Sequence, residues 1–159
     1  MEFDAAEFRR VLGHWSSGVS VVAAQPPEGA PCGLTVNAFC SVSLQPPLIL
    51  VCVDKSADSH DGIARAGAFS VNVLADTQER LARHFAADGM GGKFAGVAYH
   101  AERTGAPILD GVLAWVDCRT WSAQDAGDHT VYIGEVLAAD ARDCTPLIYY
   151  RSGFGRFTP

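Results

Sequence analysis

Lysine is nearly missing from this chain. Lys55 and Lys93 are the only two, and the other ten basic residues are arginines scattered from Arg9 to Arg156. Acidic side chains outnumber basic ones 18 to 12, for a formal net charge of -6. Phosphate backbones are bound by dense Lys and Arg, so this balance argues against a nucleic-acid partner. Long apolar runs are missing too. The most apolar stretch, Leu48 to Val53, is strand-sized and far short of the ~18 residues of a membrane helix. The five cysteines are odd in number and contain no Cys-x-x-Cys pair, which argues against a zinc ribbon and a disulfide framework. Cys52 and Cys118 sit in apolar runs, where a thiol behaves as a small hydrophobe. Reduced cysteines in a cytoplasmic protein are the expectation. The start, Met1-Glu2-Phe3-Asp4, has neither a basic n-region nor an apolar h-region, so no signal peptide is expected.

The common catalytic signatures are absent as well. Gly89-Met90-Gly91-Gly92-Lys93 resembles a phosphate loop, but Ala87 replaces its first glycine and Phe94 stands where Ser or Thr must bind magnesium. Gly153-Phe154-Gly155 lacks the third glycine and the following helix of a Rossmann turn. Neither H-E-x-x-H nor G-x-S-x-G occurs. The five histidines, His14, His60, His84, His100 and His129, are far apart, and no metal site is expected.

What is present suits one domain with a full core. The chain has 159 residues, 48% apolar and 19% charged, a composition that fits neither a disordered nor a membrane chain. Asp4 to Trp15 reads as a helix, with Asp4 and Glu7 at capping-box spacing. Phe8, Val11, Leu12 and Trp15 form an apolar stripe that should pack on the rest of the domain. Strands are expected at Val19 to Ala24, Gly33 to Ser43, Leu48 to Val53 and Ala68 to Leu74, with Leu48 to Val53 buried on both faces. Helices are expected at Ser59 to Ala66, capped by Ser59, and at Asp76 to Ala87. Asp88 to Lys93 reads as a mobile Gly-rich loop. Val112 to Trp121 and Thr130 to Ala139 read as long strands around a polar tip, Ser122 to Asp128, and Leu147 to Tyr150 as a last strand. Many short strands with few helices indicate an antiparallel barrel or sandwich with helices outside.

Three ordered stretches resemble the flavin reductase family, whose members feed reduced flavin to partner monooxygenases. They are Gly33-Leu34-Thr35-Val36-Asn37-Ala38-Phe39-Cys40-Ser41-Val42-Ser43 with Pro46-Pro47-Leu48, Phe69-Ser70-Val71-Asn72-Val73-Leu74 with Lys93-Phe94-Ala95-Gly96, and Gly127-Asp128-His129-Thr130 with Ile133-Gly134-Glu135-Val136. Pro146-Leu147-Ile148-Tyr149-Tyr150-Arg151 extends the match over nearly the whole chain. The resemblance implies a mainly β, antiparallel Greek-key split barrel with a few flanking helices. It also implies a homodimer, with flavin in a groove near the dimer interface. Such a protein transfers hydride from NADH or NADPH to FMN or FAD.

By that resemblance Thr35, Val36, Asn37 and Ala38 run along the isoalloxazine, and Asp54 to Ser59 reaches the ribityl phosphate. Ala38 departs from the Ser or Thr often found there, so a polar contact is lost or passes to the backbone. Thr35, Asn37 and Ser41 interrupt an apolar strand; on the flavin reading backbone N-H groups there meet the flavin carbonyls while these side chains set orientation, and a strand with one solvent face also produces the pattern. A helix start at Ser59 offers free N-H groups, and Lys55 and Ser56 add donors, although Asp54 and Asp58 oppose an anion. An ordinary capped helix beside a solvated lysine fits the same residues. Lys93 and Phe94 reach the flavin on one reading, and on the other Lys93 is a solvated residue after a flexible loop. The resemblance sets His129, beside Asp128, at the flavin and nicotinamide site, while a turn residue is the alternative. Tyr150 and Arg151 close the pocket, or are a core tyrosine and a surface arginine. A non-catalytic flavin- or haem-binding module is the rival function, and the Gly-Asp-His match disfavours an oxidase of the pyridoxamine-phosphate type.

Overall fold

A computed structural model describes residues 3–89 and 92–158. Helix α1 (Ala5–Leu12) leads to β1 (Ser17–Gly18), β2 (Ser20–Ala24), β3 (Cys32–Val36), β4 (Phe39–Leu44) and β5 (Pro47–Asp54). Then come α2 (His60–Ala66), β6 (Ala68–Val73), a 3-10 turn (Asp76–Gln78) and α3 (Glu79–Ala86). The chain continues through β7 (Tyr99–Ala101), β8 (Pro107–Leu109), β9 (Ala114–Ala126), β10 (His129–Ala141), β11 (Leu147–Tyr150) and β12 (Gly153–Arg156). Among the described residues no helix is long and apolar enough to cross a membrane.

Seven strands form one sheet in the order β3-β2-β6-β9-β10-β5-β4, with every neighbouring pair antiparallel. Laid flat, its two edges would lie about 29 Å apart at ~4.8 Å per neighbour. Yet β3 and β4 are joined by Asn37 and Ala38 alone, a link that reaches at most about 11 Å between flanking Cα atoms. The sheet must therefore curl until its edges meet. It forms the antiparallel split barrel that the sequence implies, with Asn37 and Ala38 at one end of the split. Strands β1, β11 and β12 form a second small sheet, and β7 pairs with β8.

Two cores follow from the strand period. On β2, Val22 and Ala24 point into the barrel with Leu34, Val51, Val53, Phe69 and Tyr132. Val21 and Ala23 point outward, where Leu74, Phe85, Leu109 and Leu147 pack under α3, β8 and β11. Alternation thus buries β2 on both faces. Asn72, fully buried, accepts from the Leu109 backbone N-H at 2.8 Å and donates to the Val21 carbonyl at 3.2 Å, so its part of the Phe69–Leu74 match serves the fold. Gly134 does likewise, since a Cβ there would stand 2.7 Å from the Phe69 ring and 2.9 Å from the Cys118 Cβ.

Several expectations are corrected. The stretch Gly33 to Ser43 is two strands, because the chain changes edges at Asn37 and Ala38. On β5 only one face is fully buried, that of Ile49, Val51 and Val53. The long polar tip does not exist: β9 and β10 run on to a two-residue turn, Gly127-Asp128, with His129 paired to Ala126. Gly127 takes φ 65°, as the first central position of a type II′ hairpin requires. Asp4 caps α1, accepting from the Ala6 N-H at 3.1 Å, but Glu7 is held by Arg10 at 2.7 Å and does not reach back. The apolar stripe does not pack on the domain either: Trp15 is 78% and Phe8 54% exposed. Within Asp88 to Lys93, Met90 and Gly91 lie outside the described residues.

Candidate functional site

A groove of about 470 Å³ opens beside the barrel split. The end of β3 supplies Thr35, Val36 and Asn37 to it, α3 supplies Arg83, and the β11–β12 hairpin supplies Tyr149, Ser152 and Phe154. The Thr35 hydroxyl donates to the Ala82 carbonyl at 2.7 Å and so ties β3 to α3. Tyr149 and Phe154 meet edge to face at 5.5 Å between centroids. The Arg83 guanidinium sits 4.8 Å over the Phe154 ring and pairs with Glu79 at 2.8 Å. Asn37 is exposed. Its backbone carbonyl accepts from the Phe39 N-H at 3.2 Å, and the Ala38 carbonyl accepts from the Cys52 N-H at 3.1 Å. A second lobe of about 290 Å³, walled by Phe8, Leu12, Trp15 and Arg151, shares Asn37, Tyr149 and Ser152 with the first.

The hairpin end makes a separate cluster. His129 Nδ1 lies 2.7 Å from Asp128 Oδ1. That bond holds the Asp128 carboxyl below its ordinary range. An ionised carboxylate only accepts, so Nδ1 carries the proton and Nε2 is left as the acceptor. His129 stands opposite Asp54 across β5. The Asp54 carboxylate accepts from the Ser56 hydroxyl at 2.7 Å and from the Ser56 N-H at 2.8 Å, which lowers its pKa. Register places Ala38 at the level of Cys52 and His129 at Asp54, two strands and two residues away, or about 12 Å. A fused three-ring system bridges such a span.

Several expected contacts lie elsewhere. The Ser59 hydroxyl is buried and donates to the Gly33 carbonyl at 2.7 Å, so it caps no helix and reaches no ligand. Ser56 is occupied by Asp54. Lys55 remains exposed but donates to the Gly127 carbonyl. Lys93 is buried, its ammonium on the Phe85 carbonyl at 3.1 Å, and Phe94 packs on Phe85 in the outer core. Neither lines a groove, because the turn after α3 folds them inward. Ser41 is exposed on the edge strand β4, away from both grooves. Tyr150 faces His14, and Tyr149 is the tyrosine that lines the site. Arg151 lines only the second lobe. Among the described residues no group of His, Cys, Asp and Glu could hold a metal.

The profile of the flavin reductase like domain matches residues 12–158. The chain belongs to the flavin reductase-like family. It is 44% identical to a flavin reductase of Pseudomonas putida over 97% of this chain and 91% of that one. It is also 41% identical to the reductase component of a 4-nitrophenol 4-monooxygenase/4-nitrocatechol 2-monooxygenase of Rhodococcus opacus, over 98% of this chain and 83% of that one. A Streptomyces globisporus NADH:FAD oxidoreductase, solved in complex with NAD and FAD fragments, superposes with a TM-score of 0.90 at 38% identity, covering 100% of this chain and 98% of that one. In this flavin reductase-like domain, sequence reasoning missed Arg83, Tyr149, Ser152 and Phe154. The Tyr149/Tyr150 choice had a readable signal, since residues two apart share a strand face and Leu147 is an apolar core residue. Arg83 and Phe154 carried none: they meet only because α3 and β12 converge.

Proposed function

We propose that this domain is an NAD(P)H:flavin oxidoreductase that moves hydride from NADH or NADPH to FMN or FAD and supplies reduced flavin to a partner monooxygenase. The observation that carries the reading is Asn37 at the barrel split. Its side-chain amide has no protein partner among the described residues, and it opens onto a groove of about 470 Å³, a common size for a small-molecule site. An amide offers a donor and an acceptor together, which suits the alternating N-H and C=O groups of a flavin pyrimidine edge. Strand β3 is a sheet edge, so beyond the Gly33 carbonyl that Ser59 takes its outward backbone groups can add further bonds. The residues present therefore fit a flavin. When bound, the flavin supplies the hydride-accepting ring.

The chain's own residues position and shield. Tyr149 and Phe154 wall the groove and exclude water. Ala38 brings no hydroxyl, so contact at that position falls to its backbone. His129, kept as the Nδ1-H tautomer by Asp128, presents Nε2 as an acceptor to an N-H of the nicotinamide or of the flavin. Of the expected phosphate donors, Ser59 is buried and the Ser56 hydroxyl donates to Asp54. That leaves the exposed Lys55 ammonium, bonded to the Gly127 carbonyl, as the one to test. A steady-state assay with both flavins and both nicotinamides, run anaerobically, tests the reading. Loss of oxidised-flavin absorbance on adding NADH or NADPH supports it. Flavin binding without reduction would instead identify a non-catalytic binding module. The Rhodococcus relative, a reductase component by name, supports the monooxygenase partner.

The domain acts as a homodimer. Leu48, Leu50, Cys52, Val131 and Ile133 form a half-buried outer face on β5 and β10, flanked by Leu44 at 91% and Trp121 at 57% exposure. An apolar face of this kind supports an interface between two copies. Light scattering should give twice the chain mass, and Val131→Glu should yield monomers. A stable wild-type monomer that binds flavin at full strength would count against it. Five free thiols are consistent with a cytoplasmic setting.

A further inference from the structure

The flavin reductase reading gives His129 a task and leaves His60 without one. His129 lies between two anchors. On one side Lys55 holds the Gly127 carbonyl at 3.0 Å and the Asp128 carbonyl at 2.9 Å. On the other side His60 Nε2 lies 2.9 Å from the Thr130 hydroxyl. Alternation along β10 turns Thr130 inward, 6% exposed, and His129 to the opposite face. Among the described residues that hydroxyl has no other partner. His60 Nδ1 lies 3.2 Å from the Asp61 carboxylate. A carboxylate only accepts, so Nδ1 carries the proton and Nε2 accepts from the Thr130 hydroxyl. A hydroxyl left buried and unpaired is costly, so His60 fixes Thr130 in place.

The residue before His60 grips the other side of the barrel. The Ser59 hydroxyl donates to the Gly33 carbonyl at 2.7 Å, on the strand that ends at Val36 beside Asn37. Packing there is tight, since a Cβ at Gly62 would stand 2.5 Å from Cys32 Sγ. Consecutive residues at the head of α2 thus hold β3 and β10 together. Along the sheet, β2, β6 and β9 lie between those two strands. The link through α2 is therefore a direct brace between the strand that leads to Asn37 and the strand that carries His129. Asp54, whose pKa is lowered most by Ser56, feels the charges of both His129 and His60, as expected if the two rings share one end of the barrel.

We propose that His60 is a positioning residue for flavin reduction, its bond to Thr130 setting where His129 stands relative to Asn37. The proposal rests on the reading of His129 as a contact of the flavin or nicotinamide. Hydride transfer tolerates little displacement, and a misplacement of about 1 Å can cost about a hundredfold in rate. The His60 side chain is 17% exposed and both its nitrogens are engaged. It therefore acts through β10 rather than on a ligand.

The test follows reduction of bound FMN by saturating NADH in a stopped-flow instrument. His60→Ala should slow it about three- to tenfold, the scale of one neutral hydrogen bond. FMN affinity should stay within about twofold. His60→Gln keeps a polar atom at similar reach and should recover most of the rate. Thr130→Val removes the hydroxyl at similar volume and should match His60→Ala, so it decides the matter if His60→Ala does not fold. In a His129→Ala background, His60→Ala should slow the reaction no further. A purely structural His60 would instead lower Tm and leave the rate of the folded protein unchanged. Wild-type rates in both His60→Ala and Thr130→Val overturn the proposal. So does slowing that persists in full in the His129→Ala background, since His60 then acts on something else. So does a His60→Gln protein as slow as His60→Ala. An unchanged rate in His129→Ala alone would sink the parent reading of His129, and this proposal with it.

Discussion

The ammonium of Lys55 donates to the carbonyl of Gly127 at 3.0 Å, joining the turn after β5 to the tip of the β9–β10 hairpin. The Lys55 N-H adds a bond to the Asp128 carbonyl at 2.9 Å, and its ammonium pairs with Asp125 at 3.3 Å. The residue expected to hold a phosphate thus already holds the hairpin end that presents His129.

Replacing Lys55 by Ala separates these roles. As a phosphate ligand Lys55 contributes about 1–3 kcal/mol to FMN binding, and riboflavin, which lacks the phosphate, loses far less. Fluorescence titration with both flavins reads the difference. Equal weakening of the two would mean that Lys55 acts only through the hairpin. Global stability should fall by no more than about 1 kcal/mol, because the ion pair is exposed.

His129→Ala should keep the fold and most of the flavin affinity. Reduction of bound flavin by NADH in a stopped-flow instrument should slow ten- to a hundredfold, or about 1.4–2.7 kcal/mol at ~1.36 per decade. Asp128→Asn should give a smaller loss, since the imidazole stays but its tautomer is no longer dictated. An unchanged rate and unchanged nicotinamide dependence in His129→Ala would return His129 to an ordinary hairpin residue. A defect that vanishes at saturating nicotinamide would assign it to binding alone.

Acid stability follows from the same cluster. Asp128 is held below its ordinary 3.8 by His129, and Asp54 by the bonds from Ser56. Folded values lower than unfolded ones stabilise the native state above pH 3.8, and that stabilisation fades as pH falls through the lowered folded values. Tm measured from neutral pH downward should therefore drop below that point, and Asp54→Asn with Asp128→Asn should flatten the drop. A double variant with the wild-type slope would show that other carboxylates govern it.

Gly134→Ala should destabilise by about 1–3 kcal/mol, the usual cost of overpacking. The new Cβ would meet the Phe69 ring at 2.7 Å and the Cys118 Cβ at 2.9 Å. Gly18→Ala is the control, with nothing within 4 Å of its Cβ. Urea unfolding of the pair should separate them clearly, and equal midpoints would mean that the barrel interior yields more than its packing suggests.

The sequence by itself determined what depends on neighbours along the chain. The Asp4 cap, the strand read at Val19 to Ala24 and the pairing of Asp128 with His129 need only a few residues each, and all were legible. The tight Gly127-Asp128 turn was not, because the polar outer ends of β9 and β10 read as loop. Family membership was legible too, because ordered local motifs suffice for it. Only the tertiary structure decided which distant elements meet. It drew Lys93 and Phe94 into the core, took the Ser59 hydroxyl for Gly33, and left the α1 stripe bare. The physical reason is closure of the sheet. The curl that brings β3 to β4 sets where α3 and the β11–β12 hairpin can pack. The positions of Arg83, Ser152 and Phe154 around Asn37 follow from that packing, and no local pattern encodes it.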